Sequence, residues 1–108
     1  MTTDPEIRKT ILAMVEKIKR EYRPQKIIMF GSYASGQPDQ DSDLDFFIIK
    51  ETRERPIDRE VRVAEIVSDP HCLVPFDPLV LTPQELAERI EMGDQFILEI
   101  LREGEVLL

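Results

Sequence analysis

Apolar positions recur with helical spacing over residues 5–22, where Ile7, Ile11, Met14, Val15, Ile18 and Tyr22 share one face and Glu and Lys cover the other. Asp4 before Pro5 offers a capping carboxylate and a proline in the first turn, with Thr3 and Glu6 as an alternative capping box. Arg23-Pro24 ends the pattern, and the period changes. Residues 26–30, KIIMF, are a short β-branched run that stops at Gly31 and predicts a buried strand. Residues 36–42, GQPDQDS, have the composition of a loop. Residues 43–50, DLDFFIIK, predict a second strand, with Asp43, Asp45, Phe47 and Ile49 on one face and Leu44, Phe46 and Ile48 on the other.

After the charged stretch ETRERP, residues 57–68 predict a helix with Ile57, Val61, Ala64 and Val67 inward, ended by Asp69-Pro70. Residues 72–81, CLVPFDPLVL, predict a strand that Pro75 and Pro78 confine to an irregular or edge position, because proline cannot donate to a ladder. Thr82 as cap, Pro83 in the first turn and Glu85 closing a capping box predict the next helix start. A last helix over 94–103 carries Phe96, Ile97, Ile100 and Leu101, Gly104 ends it, and EVLL predicts a short terminal strand. The order implies one domain over residues 1–108, of α+β (mixed α/β) class, with a small sheet packed against helices.

Composition narrows the function. With 42% apolar residues the chain can build one core, yet no apolar run reaches the length of a membrane span. The first fifteen residues mix acids and bases and read as a helix start rather than a secretory signal. A lone Cys72 cannot form an internal disulfide, which fits a reducing cytoplasm. The formal net charge of −8, with no basic block, disfavours a nucleic-acid partner. A small phosphate ligand remains compatible where a metal supplies the positive charge.

One stretch, FGSYASGQPDQDSDLD, holds the candidate chemistry. Gly31 and Gly36 have the spacing of a Walker phosphate loop, but Gln37 and Pro38 stand where its Lys and Ser/Thr belong. Asp39, Asp41 and Asp43 alternate as in a calcium-binding EF-hand, but Leu44 and Lys50 replace the required Gly and Glu; a register from Asp41 puts Phe46 and Thr52 there. Neither motif holds. A third pattern does: Gly31-Ser32, ten residues, then Asp43-Leu44-Asp45, flanked by apolar strands, with Ala34 and Gly36 in the turn and Ser42 before the first Asp. This resembles the minimal nucleotidyltransferase (MNT) domains of the DNA polymerase β-like superfamily. The later FDPLVLTPQEL is similar to the strand and helix that carry that family's third carboxylate, here Asp77, whose plainer reading is a turn aspartate before Pro78.

The resemblance implies a nucleotidyltransferase fold, ATP as substrate, and two Mg²⁺ ions held by Asp43, Asp45 and Asp77. One ion would bind the triphosphate and the other would lower the pKa of the attacking hydroxyl, with Asp77 orienting or deprotonating it. Gly31 and Ser32 would bind the phosphates. Elementary chemistry agrees: residues i and i+2 of a strand point to one face, and two adjacent carboxylates repel unless a cation lies between them. An isolated Asp-x-Asp is most often a solvated strand start, and the Gly-Ser at fixed spacing reverses that reading. Ser35 stands where many family members carry Arg, which removes a positive group near the site.

The resemblance also implies a partner. Larger relatives carry a helical domain that helps bind the acceptor, so here the acceptor surface is expected from another chain. Small MNT proteins are commonly paired, as MntA-like antitoxins, with a HEPN-domain RNase toxin, and transfer AMP from ATP to a tyrosine on it. The rival reading is a non-catalytic module that neutralises a partner by covering it; a third is an enzyme modifying a small molecule such as an antibiotic. A small domain exposes much surface, which suits a homodimer. Arg53 and Arg55 are read as solvated or as contacts to phosphate or partner, Tyr33 as an adenine-stacking or exposed turn residue, and His71 and Cys72 as loop or core.

Overall fold

In the computed structural model, which describes residues 4–39, 41–70 and 74–108, the first helix α1 spans Pro5–Glu21. The Asp4 carboxylate caps it, accepting the N–H groups of Glu6 at 2.9 Å and Ile7 at 3.4 Å; Thr3 lies outside the described residues. The rest of the chain runs β1 (Lys26–Phe30), α2 (Ser32–Ser35), β2 (Leu44–Ile49), α3 (Pro56–Val67), β3 (Phe76–Leu81), α4 (Pro83–Glu91), α5 (Gln95–Glu103) and β4 (Glu105–Val106). The class is α+β: one four-stranded sheet in the order β3-β2-β1-β4, with helices on both faces.

β1 is antiparallel to both β2 and β4, and β2 is parallel to β3. The alternation predicted for residues 43–50 sorts the core. Leu44, Phe46 and Ile48 join Ile27 and Met29 under the buried stripe of α1 (Ile11, Met14, Val15, Ile18), while Phe47 and Ile49 join Ile28 and Leu81 under Ile97 and Ile100 of α5. Phe46 meets Phe76 edge to face at 5.2 Å.

Pro78 lies inside β3, at the sheet's edge. The flanking bonds, Leu44 N–H to the Pro75 carbonyl at 2.8 Å and Lys50 N–H to the Leu81 carbonyl at 3.0 Å, turn the odd-numbered residues of β3 toward β2. The missing N–H of Pro78 therefore falls on the unpaired side, where no ladder bond is lost. Gly104 serves a close approach instead: a Cβ there would meet the Ile28 side chain and the Ile100 carbonyl.

The expected inward face of α3 is corrected at three positions, and Val67 is buried as expected. Ile57, Val61 and Ala64 face solvent, and Arg59, Val63 and Val67 are buried. Both stripes have helical spacing, so periodicity alone cannot rank them. Arg59 decides, because it finds partners inside: its guanidinium donates to both Glu85 carboxylate oxygens at 2.6 and 3.3 Å and to the carbonyls of Glu54 at 2.8 Å and Val80 at 3.3 Å. Glu85 also closes the predicted capping box with Thr82, so one carboxylate starts α4 and ties it to α3. The Arg59 hydrogen bond is the main cause holding the Glu85 carboxyl below its usual range.

Candidate active site

Strand polarity gathers the chemistry at one end of the sheet. β1 ends at Phe30, which pairs with Asp45, the second residue of β2. β3 runs parallel to β2 with Asp77 opposite Asp45. The Gly31-Ser32 turn and the Asp45 and Asp77 carboxylates thus come from three adjacent strand ends. Asp43 stands two residues before Asp45, exposed, just ahead of the strand.

Gly31 adopts φ 80°, ψ −160°, a region essentially reserved for glycine. A Cβ at this position would run into the Oδ2 of Asp45. The glycine therefore turns the chain from β1 into α2 and also leaves the space that the Asp45 carboxylate occupies.

The Asp45 carboxyl is pushed up to about 6, first by burial, then by the charges of Asp77 and Asp43. Three carboxylates thus share one electrostatic environment, and negative charge on Asp45 is held there at a cost that a divalent cation would relieve. Among the described residues, no group of three or more His, Cys, Asp or Glu side chains converges closely enough to form a preformed metal cage. The arrangement is an open set of hard oxygen donors. That fits Mg²⁺, which is held by one or two carboxylates together with water and substrate phosphates rather than by an all-protein cage.

Two cavities open on these groups. One, of about 410 Å³, lies between α2 and α5 and is lined by Gly31, Ser35, Asp45, Phe96 and Glu99 among others. The second, also about 410 Å³, shares Phe30, Asp45 and Phe96 with it and extends to Asp77 and Glu60.

Tyr33 is buried in the core beside α1, so it neither stacks on a ligand nor lies exposed. The Ser35 hydroxyl donates to the Ser32 carbonyl at 3.0 Å, which tightens the turn locally. Asp39 is used within its own loop, its carboxylate accepting from Asp41 N–H at 2.9 Å and from the Ser42 hydroxyl at 3.2 Å. Arg55 pairs with Asp58 at 3.0 Å. His71 and Cys72 lie outside the described residues.

Phe96, Glu60, Glu99 and Glu103 border the cavities and were not read from the sequence as site residues. The signal was present in α5. Phe96, Ile97, Ile100 and Leu101 form a face too wide for one sheet contact; Ile97 and Ile100 took the sheet and Phe96 was left 53% exposed.

Comparison with known proteins adds a family. The model of the nucleotidyltransferase domain family matches residues 11–102. The crystal structure of a "putative nucleotidyltransferase" from Sulfolobus solfataricus matches with a TM-score of 0.56 at 22% identity, over 74% of this chain and 70% of that one. At that identity the likeness is one of fold. No curated protein matches the chain.

Proposed function

This chain belongs to the nucleotidyltransferase domain family, and we propose that it transfers AMP from ATP to a hydroxyl of a partner protein, a tyrosine, as the antitoxin of a HEPN/MNT pair. The observation that carries the transfer reading is the in-register pairing of Asp45 with Asp77 beside the Gly31 turn. It puts carboxylates from two strands beside a glycine turn.

In this reading Asp43, Asp45 and Asp77 would supply carboxylates to Mg²⁺, one or two to an ion, and the metal would neutralise phosphate charge and acidify the acceptor hydroxyl. Gly31 and Ser32 bind the β- and γ-phosphates, Ser32 through its hydroxyl and N–H, while Gly31 supplies the turn and leaves room for the Asp45 carboxylate beside it. Asp77, exposed at the edge strand, orients the acceptor hydroxyl and accepts its proton. The hydroxyl oxygen bonds to the α-phosphorus, the bond from that phosphorus to the bridging oxygen breaks, and pyrophosphate leaves. The antitoxin role rests on the MNT resemblance of the Gly31-Ser32 and Asp43-Leu44-Asp45 pattern and on the acidic charge of the chain.

The test is transfer of label from ATP to the product of the neighbouring gene, in Mg²⁺, with the label at either the α- or the γ-phosphate. Label from the α position alone, lost in Asp43→Ala/Asp45→Ala, is the expected result. A second reading, a binding module without catalysis, is favoured by one observation: no basic side chain among the described residues lines either cavity to meet a triphosphate. Protection of the partner that survives Asp43→Asn/Asp45→Asn, with no label transferred, would establish it instead.

A further inference from the structure

The two cavities are neighbours that share Phe30, Asp45 and Phe96 in their linings and together make up the groove beside Phe96. Phe30 and Phe96 meet edge to face at 5.7 Å and 83°, so the half-exposed Phe96 ring is supported along one side. An aromatic partly supported in this way at the mouth of a groove is an anchor that loses less side-chain freedom on binding. Asp45, Asp77, Glu60, Glu99 and Glu103 contribute to the lining, and among the described residues no Lys, Arg or His does. Glu103 touches Arg102 at 3.6 Å, but both side chains are exposed and such a pair is weak.

From this chemistry we infer that the Phe96 groove selects the acceptor, and that the acceptor is a polypeptide segment with Arg or Lys beside its reactive hydroxyl. The inference rests on the transfer reading for its word acceptor, but the charge preference stands on the lining alone. With Asp45 and Asp77 assigned to the metal, Glu60, Glu99 and Glu103 set the preference: a neutral nucleobase gains nothing from them, and an acidic segment is repelled by them. A cationic side chain is attracted to Glu99, Glu103 and Glu60 and can lie on the face of Phe96. Its neighbour on the segment then faces Asp45 and Asp77, which line the same groove.

Two fluorescein-labelled peptides test this, one with tyrosine between two arginines and one with tyrosine between two glutamates, by anisotropy without nucleotide at low and high salt. The arginine peptide alone is expected to bind, and less at high salt. Phe96→Ala, and separately Glu99→Gln/Glu103→Gln, should each weaken it by roughly tenfold, with the fold checked by circular dichroism. Glu99→Lys/Glu103→Lys should bring the glutamate peptide onto the protein. Equal binding of both peptides, no binding of the arginine peptide at millimolar concentration, or indifference to all three variants overturns the inference. So does a Phe96→Ala variant that loses affinity for ATP and not for the peptide. Transfer of α-label from ATP is scored separately. Charge-selective binding without transfer removes the proposed reaction and supports the groove's preference, whereas equal transfer to both peptides removes the preference and keeps the reaction.

Discussion

Replacing Gly31 by Ala probes the turn and the carboxylate together. The backbone at φ 80°, ψ −160° costs a non-glycine residue about 1–3 kcal/mol. The new Cβ also overlaps the Oδ2 of Asp45, which must leave its rotamer at about 0.5–1.5 kcal/mol. Against this, alanine restricts the unfolded chain and returns about 0.4–1 kcal/mol. The net expectation is a loss of about 0.5–4 kcal/mol with its middle near 2, a fall in melting temperature of roughly 2–32 °C for a domain of this size. Calorimetry on four proteins checks it: parent, Gly31→Ala, Asp45→Ala and the double variant. The backbone cost persists without Asp45 and the overlap does not, so Gly31→Ala should be about 0.5–1.5 kcal/mol milder in the Asp45→Ala background. A Gly31→Ala protein melting within about 2 °C of the parent would refute the backbone argument. Equal losses in both backgrounds would refute the contact with Asp45.

Further outcomes follow from the same geometry. The Asp45 carboxyl stands at about 6 in the folded protein against an ordinary 3.8. Its contribution to stability is therefore full below the unfolded value and lost as pH rises through about 6. Without metal, Asp45→Asn should be more stable than the parent at pH 7, by about 1 kcal/mol once solvent screening is allowed for. A denaturant series in EDTA across this pH range reads it, and an equally steep pH dependence in Asp45→Asn would count against the cause. Adding Mg²⁺ should raise the parent's melting temperature by mass action and leave Asp43→Asn/Asp45→Asn unmoved; equal shifts in both would place the ion elsewhere. Arg59→Ala should cost about 2–3 kcal/mol in chemical denaturation, less than a fully buried pair because the Glu85 side chain is 35% exposed. A cost below about 0.5 kcal/mol would mean that the pair does not hold α3 to α4.

What the sequence determined by itself was local. Helix starts were legible because the groups that satisfy them are neighbours in the chain: the Asp4 cap and the Thr82–Glu85 box stand where their spacing placed them. The two faces of β2 followed from a period of two residues, and Pro78 limited β3 to an irregular or edge position, of which the sheet shows the edge. The family pattern was legible for the same reason, since Gly31, Ser32, Asp43 and Asp45 lie within fifteen residues. Tertiary structure decided whatever depends on which surfaces meet. The parallel pairing of β3 with β2 brought Asp77 opposite Asp45, and no spacing between residues 45 and 77 encodes a register. The inward face of α3 turned on whether Arg59 would find Glu85 and two carbonyls, a long-range outcome that overrode an equally periodic apolar stripe. The wide apolar face of α5 gave Ile97 and Ile100 to the sheet and left Phe96 at the groove, because one helix can bury only the arc that its neighbour covers.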